Sequence, residues 1–311
     1  MIFAARGLLV SLAFFATVYC PLSLLVVLVW RGTKYIGQGA AANTANLLFG
    51  LRIFPFTVSA LVTVCFTFPS FWLLERRSPD EDTATFILAL CSLLILGAGL
   101  FRVLSVQART MRAVAQWLMG ATKVGDDGRM LRLGASEDAP PLILVGLWRP
   151  RVMISDLATA VLTDDELRVA VRHELGHAQS WDNLKKVMVS STPFPGMSGI
   201  ERAWQDTAEL AADEAAVANR QEALDLAAAL IKVSRSSPQW PKPLLATELV
   251  SGSHSISFRV RRLLHWNTTG RHAQRRWCWS LLALFTMFTG IACNYGAALV
   301  LTHRLTELLV P

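Results

Sequence analysis

Two histidines and a glutamate in one short stretch have the spacing of a metal site. The segment His173-Glu174-Leu175-Gly176-His177 is an HExxH motif, and on a helix the i, i+4 spacing places both imidazoles on one face, about one turn apart. They could then bind one zinc ion, while Glu174 takes a proton from a zinc-bound water and passes it to the leaving amine. The pattern therefore predicts hydrolysis of a peptide bond, with one Zn²⁺ per chain.

A second i, i+4 pair could complete the site. A catalytic zinc needs a third protein ligand and keeps its fourth position open for water. The stretch Glu209-Leu210-Ala211-Ala212-Asp213 lies in a helical region from about 200 to 219. We expect Glu209 to be the third ligand and Asp213 to accept the other ring N–H of a ligand histidine. The alternative is that both acids are solvated residues on a helix face.

Other polar residues near these motifs are candidates for weaker roles. His254 and Arg259 could each donate to the oxyanion of the tetrahedral intermediate, although an ion pair with Asp213 or Glu209 is the favoured role for Arg259. Asp182 lies five residues after His177 and could orient the motif helix or simply end it.

The rest of the chain is unusually apolar, which indicates a membrane protein. Of its 311 residues 53% are hydrophobic, and the mean hydropathy is +0.40. A bilayer core about 30 Å thick needs about 20 apolar residues in a helix, and four stretches are long enough. We predict spans at about 7–30, 53–74, 84–101 and 277–302. A cleaved signal peptide is the less favoured interpretation of the first stretch, because no small-residue cleavage site follows it closely.

Basic residues cluster near the ends of these spans. The net charge is +7, but no nucleic-acid recognition motif accompanies it, and the positive-inside rule accounts for the clusters more simply. Arg31, Lys34 and Arg52 follow the first span. Arg102, Arg109 and Arg112 follow the third, and Arg271, Arg275 and Arg276 precede the fourth. We therefore expect these segments on the cytoplasmic side of a multi-pass cell-membrane protein.

The only large polar block, residues 103–276, must hold the chemistry. It should begin as a helix to about residue 122, broken by the Gly-Asp-Asp-Gly turn at 125–128. The apolar runs 142–147 and 151–154 predict a hairpin or a bent edge strand, and Pro150 argues against a central position in a sheet. A capping box at 163–166 should start the motif helix.

Together these features resemble the BlaR/MecR-type antirepressor family of integral-membrane zinc metallopeptidases, which is related to the HtpX and CAAX-prenyl proteases. The resemblance covers nearly the whole chain and includes the stretches at 147–152, 162–167 and 259–263. It implies a mainly α membrane protein in which a cytoplasmic α+β, zincin-like domain is inserted between the third and fourth of four transmembrane helices. Three spans would occupy 1–102, the peptidase domain 103–276, and the fourth span with a short tail 277–311.

The resemblance also implies what the protein acts on. We expect an endopeptidase that cleaves a cytoplasmic or membrane-associated protein, such as a transcriptional repressor or the peptidase itself. The strand near the Arg-Pro element borders the cleft in this family, so Leu147 and Val152 are candidate substrate contacts. CAAX-type relatives usually have a His-Pro pair where this chain has His254-Ser255, which leaves the role of His254 in doubt.

Two alternatives remain at the level of the sequence, and one function is not expected. A quality-control protease of membrane proteins would use the same site. A non-catalytic signalling scaffold could retain a structural metal, but such a site would not need Glu174, which is not a ligand. Family antirepressors carry a penicillin-binding sensor after the fourth span, whereas this sequence ends at Pro311, so β-lactam sensing is not expected.

Overall fold

A computed structural model describes the chain at residues 2–32, 40–74, 83–117, 122–124, 130–133, 140–236, 247–248, 253–266 and 295–309. Over these residues it is mainly helical with one small sheet, which confirms the predicted mainly α class.

Three apolar helices form the N-terminal part. Helix α1 is Ile2–Gly32. Helix α2, Ala41–Val62, continues through a π-helical turn, Thr63–Thr67, into α3, Phe68–Leu74, and α4 is Thr83–Trp117. Each of these three continuous helices is long and apolar enough to cross a membrane. Large apolar side chains such as Leu24, Leu93 and Phe101 are exposed on their outer faces, as expected for surfaces that contact lipid.

The spans predicted at 7–30, 53–74 and 84–101 lie inside these helices, but the helices extend further. The predicted fourth span at 277–302 lies mostly outside the described residues. Its last turns belong to the helix Tyr295–Leu309, which packs against α3. The helix expected from 103 to 122 ends earlier, at Trp117, and Thr122 already belongs to a strand.

Arg52 was expected in a loop after the first span, and the structure corrects this expectation. It lies in the middle of α2 and is 1% exposed. Its guanidinium donates to the Oγ1 of Thr192 at 2.9 Å and to the Thr192 carbonyl at 2.6 Å, and it forms an ion pair of 2.8 Å with Glu201. Burial of the guanidinium is tolerated because each of these contacts is a charge-assisted hydrogen bond or an ion pair.

The sheet is small and mixed. Its strands are β1, Thr122–Val124; β2, Met130–Leu133; β3, Leu142–Val145; β4, Arg151–Ser155; and β5, Thr247–Glu248, in the order β1-β2-β4-β3-β5. Strands β3 and β4 form the predicted antiparallel hairpin. The predicted edge position is wrong: β4 pairs with β2 on its other side, and β3 also pairs with β5. Pro150 does not prevent this, because it precedes the first residue of β4 and interrupts no ladder hydrogen bond.

Helices cover the sheet and carry the motifs. They are α5, Asp156–Val161; α6, Asp164–Gln179; α7, Asp182–Ser191; α8, Ser198–Ala216; α9, Arg220–Ser236; and α10, Ser253–Leu264. Helix α6 begins with the predicted capping box between Thr163 and Glu166. It packs against α8 where Gly176 faces Ala212. These small residues let the two helices approach closely, which brings their polar side chains together.

Helix α2 also packs along α8, so the N-terminal helices and the motif helices share one body. Val26, Val27 and Leu48 of the N-terminal helices form an apolar cluster with Ile200 and Trp204 of α8. Arg52 adds polar contacts to this interface.

We expect Arg52→Met to lower the free energy of unfolding by about 2–4 kcal/mol, because the Thr192 carbonyl and Glu201 lose a buried charged donor. Arg52→Lys should lose less, since it keeps the charge but not the planar fork. Thermal unfolding in detergent measures both. Arg109→Met on the exposed face of α4 is the matched control, and equal unfolding temperatures for Arg52→Met and Arg109→Met would contradict this role of Arg52.

Candidate metal centre

The two histidines of the HExxH motif are adjacent and buried. His173 and His177 lie one turn apart on α6 with ring centroids 4.9 Å apart, and they are 0% and 1% exposed. Their Nε2 atoms meet hydrogen-bond geometry with no group of the described residues. A buried nitrogen without such a partner is costly, and a metal ion would compensate it.

Glu209 faces both histidines from α8. Its Oε2 lies 3.6 Å from Nε2 of His173, and its Oε1 lies 3.6 Å from Nε2 of His177. Two ligand atoms that each lie about 2.0–2.1 Å from a tetrahedral zinc are about 3.4 Å apart. One ligand atom from each of the three residues lies within 4.8 Å of the others, so the group could hold a metal ion with little movement.

Two carboxylates contact the outer nitrogens of the imidazoles. Nδ1 of His173 lies 3.0 Å from Oδ1 of Asp213, and Nδ1 of His177 lies 2.7 Å from Oδ2 of Asp182. An ionised carboxylate can only accept, so each Nδ1 carries a proton, and a neutral ring then has its lone pair at Nε2. Both rings are thus held in the tautomer that binds a metal through Nε2.

Arg259 joins the two acids of α8. This residue of α10 is 1% exposed. Its Nη1 donates to Glu209 at 2.9 Å, while Nε and Nη2 donate to both oxygens of Asp213 at 2.8 and 2.7 Å. The sequence favoured an ion pair between Arg259 and either Asp213 or Glu209, and Arg259 forms ion pairs with both.

The ion pairs change the pKa values of these acids. Burial alone would raise the pKa of Glu209, but Arg259 and the two histidines outweigh it and lower that pKa to about 2. Burial likewise opposes ionisation of Asp213, yet Arg259 and His173 hold the pKa of Asp213 well below its usual value. Both carboxylates are therefore charged at neutral pH.

The cluster is rich in buried carboxylates. Glu174 is 0% exposed on α6, so four buried carboxylates surround the imidazoles: Glu174, Asp182, Glu209 and Asp213. The cations in contact with them are Arg259 and Lys185, which lies 3.7 Å from Asp182. Among the described residues, the carboxylates of the cluster therefore outnumber its cationic side chains. A divalent cation would help to balance these carboxylates.

The weaker candidates are placed as follows. His254 lies in the first turn of α10, but its side chain lies outside the described part of the structure, so its role stays a prediction. Leu147 is partly exposed after β3 and lines a small cavity beside His177. Val152 is completely buried in the core under the sheet, which argues against contact between its side chain and a substrate, and its proposed role stays a prediction.

Sequence reasoning left the role of Asp182 open, and the turn before it explains why. Trp181, between α6 and α7, has a φ of 57°, a left-handed conformation that is rare for a large residue. Helix α7 begins at the next residue, and the turn places the carboxylate of Asp182 in contact with the His177 ring. Asn183 then donates to the carbonyls of Leu144 and Gly146, which ties α7 to the hairpin. The short spacing between His177 and Asp182 was the only sign of this arrangement.

The comparison with known families agrees with this arrangement. A family model described as BlaR1 peptidase M56 matches residues 83–263, a range that begins in α4 and includes every residue of the cluster. No curated protein matches the chain significantly.

Zinc affinity should increase with pH. Burial lowers the pKa of His173, but Asp213 and Glu209 outweigh it and raise that pKa to about 9 in the metal-free protein. His173 is therefore protonated at pH 7 and must lose this proton to bind a metal. For one proton released, the apparent affinity should increase about tenfold per pH unit up to about pH 9.

Zinc titration against a chelator of known pH dependence, from pH 6 to about 9, measures this slope. Asp213→Asn is the informative variant, because it removes the main group that raises the pKa of His173, so its slope should become shallower near neutral pH. A wild-type affinity that does not change between pH 7 and about 9 would contradict the protonated state of His173.

Proposed function

This chain belongs to the BlaR1 peptidase M56 family, and we propose on that premise that it is a membrane-embedded, zinc-dependent endopeptidase. The observation that carries the proposal is the buried group of His173, His177 and Glu209 with Glu174 on the same helix. Two imidazoles and one carboxylate are a typical ligand set of catalytic zinc, which leaves one position open.

In the proposed mechanism, His173, His177 and Glu209 hold the ion. When bound, zinc would supply a Lewis acid that polarises the scissile carbonyl and lowers the pKa of water. Asp213 and Asp182 keep both imidazoles in the ligand tautomer through the 3.0 and 2.7 Å contacts to Nδ1. Arg259 holds the carboxylates of Glu209 and Asp213 in place.

Glu174 is the proposed general base. It lies beside His173 on α6 and is completely buried, so its carboxylate is shielded from bulk water until a substrate and the attacking water enter. We propose that it accepts a proton from that water and donates it to the leaving amine. Arg259 is engaged with Glu209 and Asp213, which favours a positioning role over direct contact with the oxyanion.

We propose that the substrate is a cytoplasmic or membrane-associated protein, cleaved in regulatory proteolysis. The contacts of α2 with α8 support a substrate near the membrane, because they hold the site next to the apolar helices. A transcriptional repressor, or another copy of the chain itself, fits this proposal.

The proposed topology has four spans and a cytoplasmic peptidase domain at 103–276, in a multi-pass protein of the cell membrane. Its support is the arginines at span ends, Arg31, Arg102, Arg109 and Arg112, all of which are exposed. Arg52 no longer contributes to this argument, since it is buried among protein groups.

Glu174→Gln should lower peptide cleavage by about 10²- to 10⁴-fold and leave zinc content unchanged. Glutamine has nearly the same shape but cannot accept a proton at neutral pH. Cleavage of a candidate repressor, or self-cleavage, is measured in liposomes, with zinc determined on the same samples. Wild-type rates in Glu174→Gln would exclude the mechanism.

Two further variants separate the roles in that assay. His173→Ala/His177→Ala should lose both zinc and activity, and stoichiometric zinc in this variant would exclude the ligand assignment. Asp213→Asn should lower metal affinity or activity by about 10- to 100-fold, as expected for a group that orients a ligand.

Reporter fusions test the topology. A cytoplasmic domain predicts that alkaline phosphatase fused near Gly125 is inactive and that the same fusion after Arg304 is active, because the enzyme folds only outside the cytoplasm. A fluorescent protein that needs the cytoplasm to mature, fused at the same sites, should give the opposite result. Activity of phosphatase near Gly125 with none after Arg304 would reverse the orientation.

A further inference from the structure

A cavity of about 130 Å³ with both polar and apolar lining residues lies between α4, α7 and α8, apart from the metal centre. One water needs only about 10–15 Å³ of such space, so the cavity can hold a larger polar group. The polar residues that line it are Arg102, Lys186, Ser190, Glu201, Trp204 and Gln205.

The cavity lies at the end of an apolar segment. Residues 83–101 of α4 carry no charge, and Arg102 is the first charged residue after them. Gly99 allows the C-terminal end of α7 to pack directly against the backbone of this helix. A Cβ at this position would clash with the carbonyl oxygen of Ser191. The end of α7 therefore contacts α4 within one turn of Arg102. If α4 spans a membrane, the cavity is at the level of the lipid headgroups.

The charge of the cavity is positive. Arg102 and Lys186 carry positive charges, and Glu201 is the one acid among the described residues that line the cavity. Glu201 forms an ion pair of 2.8 Å with the buried Arg52, so its charge is already balanced. An anion in the cavity would lie beside two cationic side chains and a carboxylate that is already paired with Arg52.

A buried donor completes the lining. Trp204 is 2% exposed, and its indole Nε1 has no hydrogen-bond partner among the described residues. A buried N–H without an acceptor costs about 1–3 kcal/mol. An acceptor oxygen in the cavity that Trp204 lines would remove this cost.

One wall of the cavity is apolar and continuous with the N-terminal helices. Trp204 and Val189 belong to the cluster that contains Val26, Val27 and Leu48. The cavity thus combines apolar surroundings with two cations and polar donors at the end of an apolar helix. This combination matches an amphiphile with a negatively charged polar group.

We propose that this cavity binds the phosphate-bearing headgroup of an anionic phospholipid. Basic pockets beside transmembrane helices recognise such headgroups through their phosphate oxygens. Arg102 and Lys186 bind the phosphate, and the indole N–H of Trp204 donates to one of its oxygens. The site is separate from the metal centre and does not depend on the proposed peptidase activity.

Native mass spectrometry of the full-length protein in detergent tests the proposal. The protein is titrated with phosphatidylglycerol, with phosphatidylcholine and with inorganic phosphate. Wild type should prefer phosphatidylglycerol, and Arg102→Gln/Lys186→Gln should reduce its affinity about 20- to 30-fold, the effect of two cations near a membrane surface. Trp204→Phe, which keeps the ring but removes the N–H, should reduce it about 2- to 10-fold.

The matched control is Arg109→Gln/Arg112→Gln, two exposed cations further along α4, which should leave the affinity unchanged. An equal loss in this control would overturn the proposal, since general surface charge would then explain binding. Displacement of the lipid by inorganic phosphate, with the same dependence on Arg102 and Lys186, would also overturn it in favour of a free anion. Unchanged unfolding temperatures of the variants show that the site, and not the fold, was lost.

Discussion

The burial of acidic groups between α6 and α8 is the constraint on which the rest of the site depends. Glu174, Glu209 and Asp213 are all nearly inaccessible to solvent, and burying ionised carboxylates is costly unless cations and donors compensate them. Arg259 compensates Glu209 and Asp213, and the Nε2 atoms of His173 and His177 face the same space. A divalent cation would help to balance the remaining charge, so a metal bound for hydrolysis would also contribute to stability.

The sequence predicted those features that depend on residues close together in the chain, and it failed for those that depend on distant residues. HExxH and the acidic pair of α8 are local and helical, so 3.6 residues per turn already fixes which side chains share a face. The capping box is local in the same way. The role of Asp182 depends on the left-handed Trp181, and no local preference predicts that conformation for tryptophan. The position of β4 was wrong for a related reason, because the partner of a strand is set by distant residues.

Arg52 shows the corresponding limit for hydropathy. A charge in an apolar stretch was interpreted as the end of a span, since lipid would not tolerate it. The guanidinium instead donates to α8 and to the carbonyls of Val189 and Thr192, so its environment is protein and not lipid. Hydropathy measures a residue against water or hydrocarbon only, and it cannot anticipate a polar pocket supplied by helices far along the chain.

Helix α8 links these features. Near its start Glu201 binds Arg52 of α2, and about one turn later Trp204 packs in the apolar cluster of the N-terminal helices. One to two turns later Glu209 faces both histidines. At its end Glu214 accepts from Arg262 of α10 and from the backbone of Ala41. Since a packed helix moves as a rigid element, a shift of α2 must either break the contacts of Arg52 and Glu214 or carry α8 with it. The position of Glu209 relative to α6 is therefore mechanically coupled to the apolar helices.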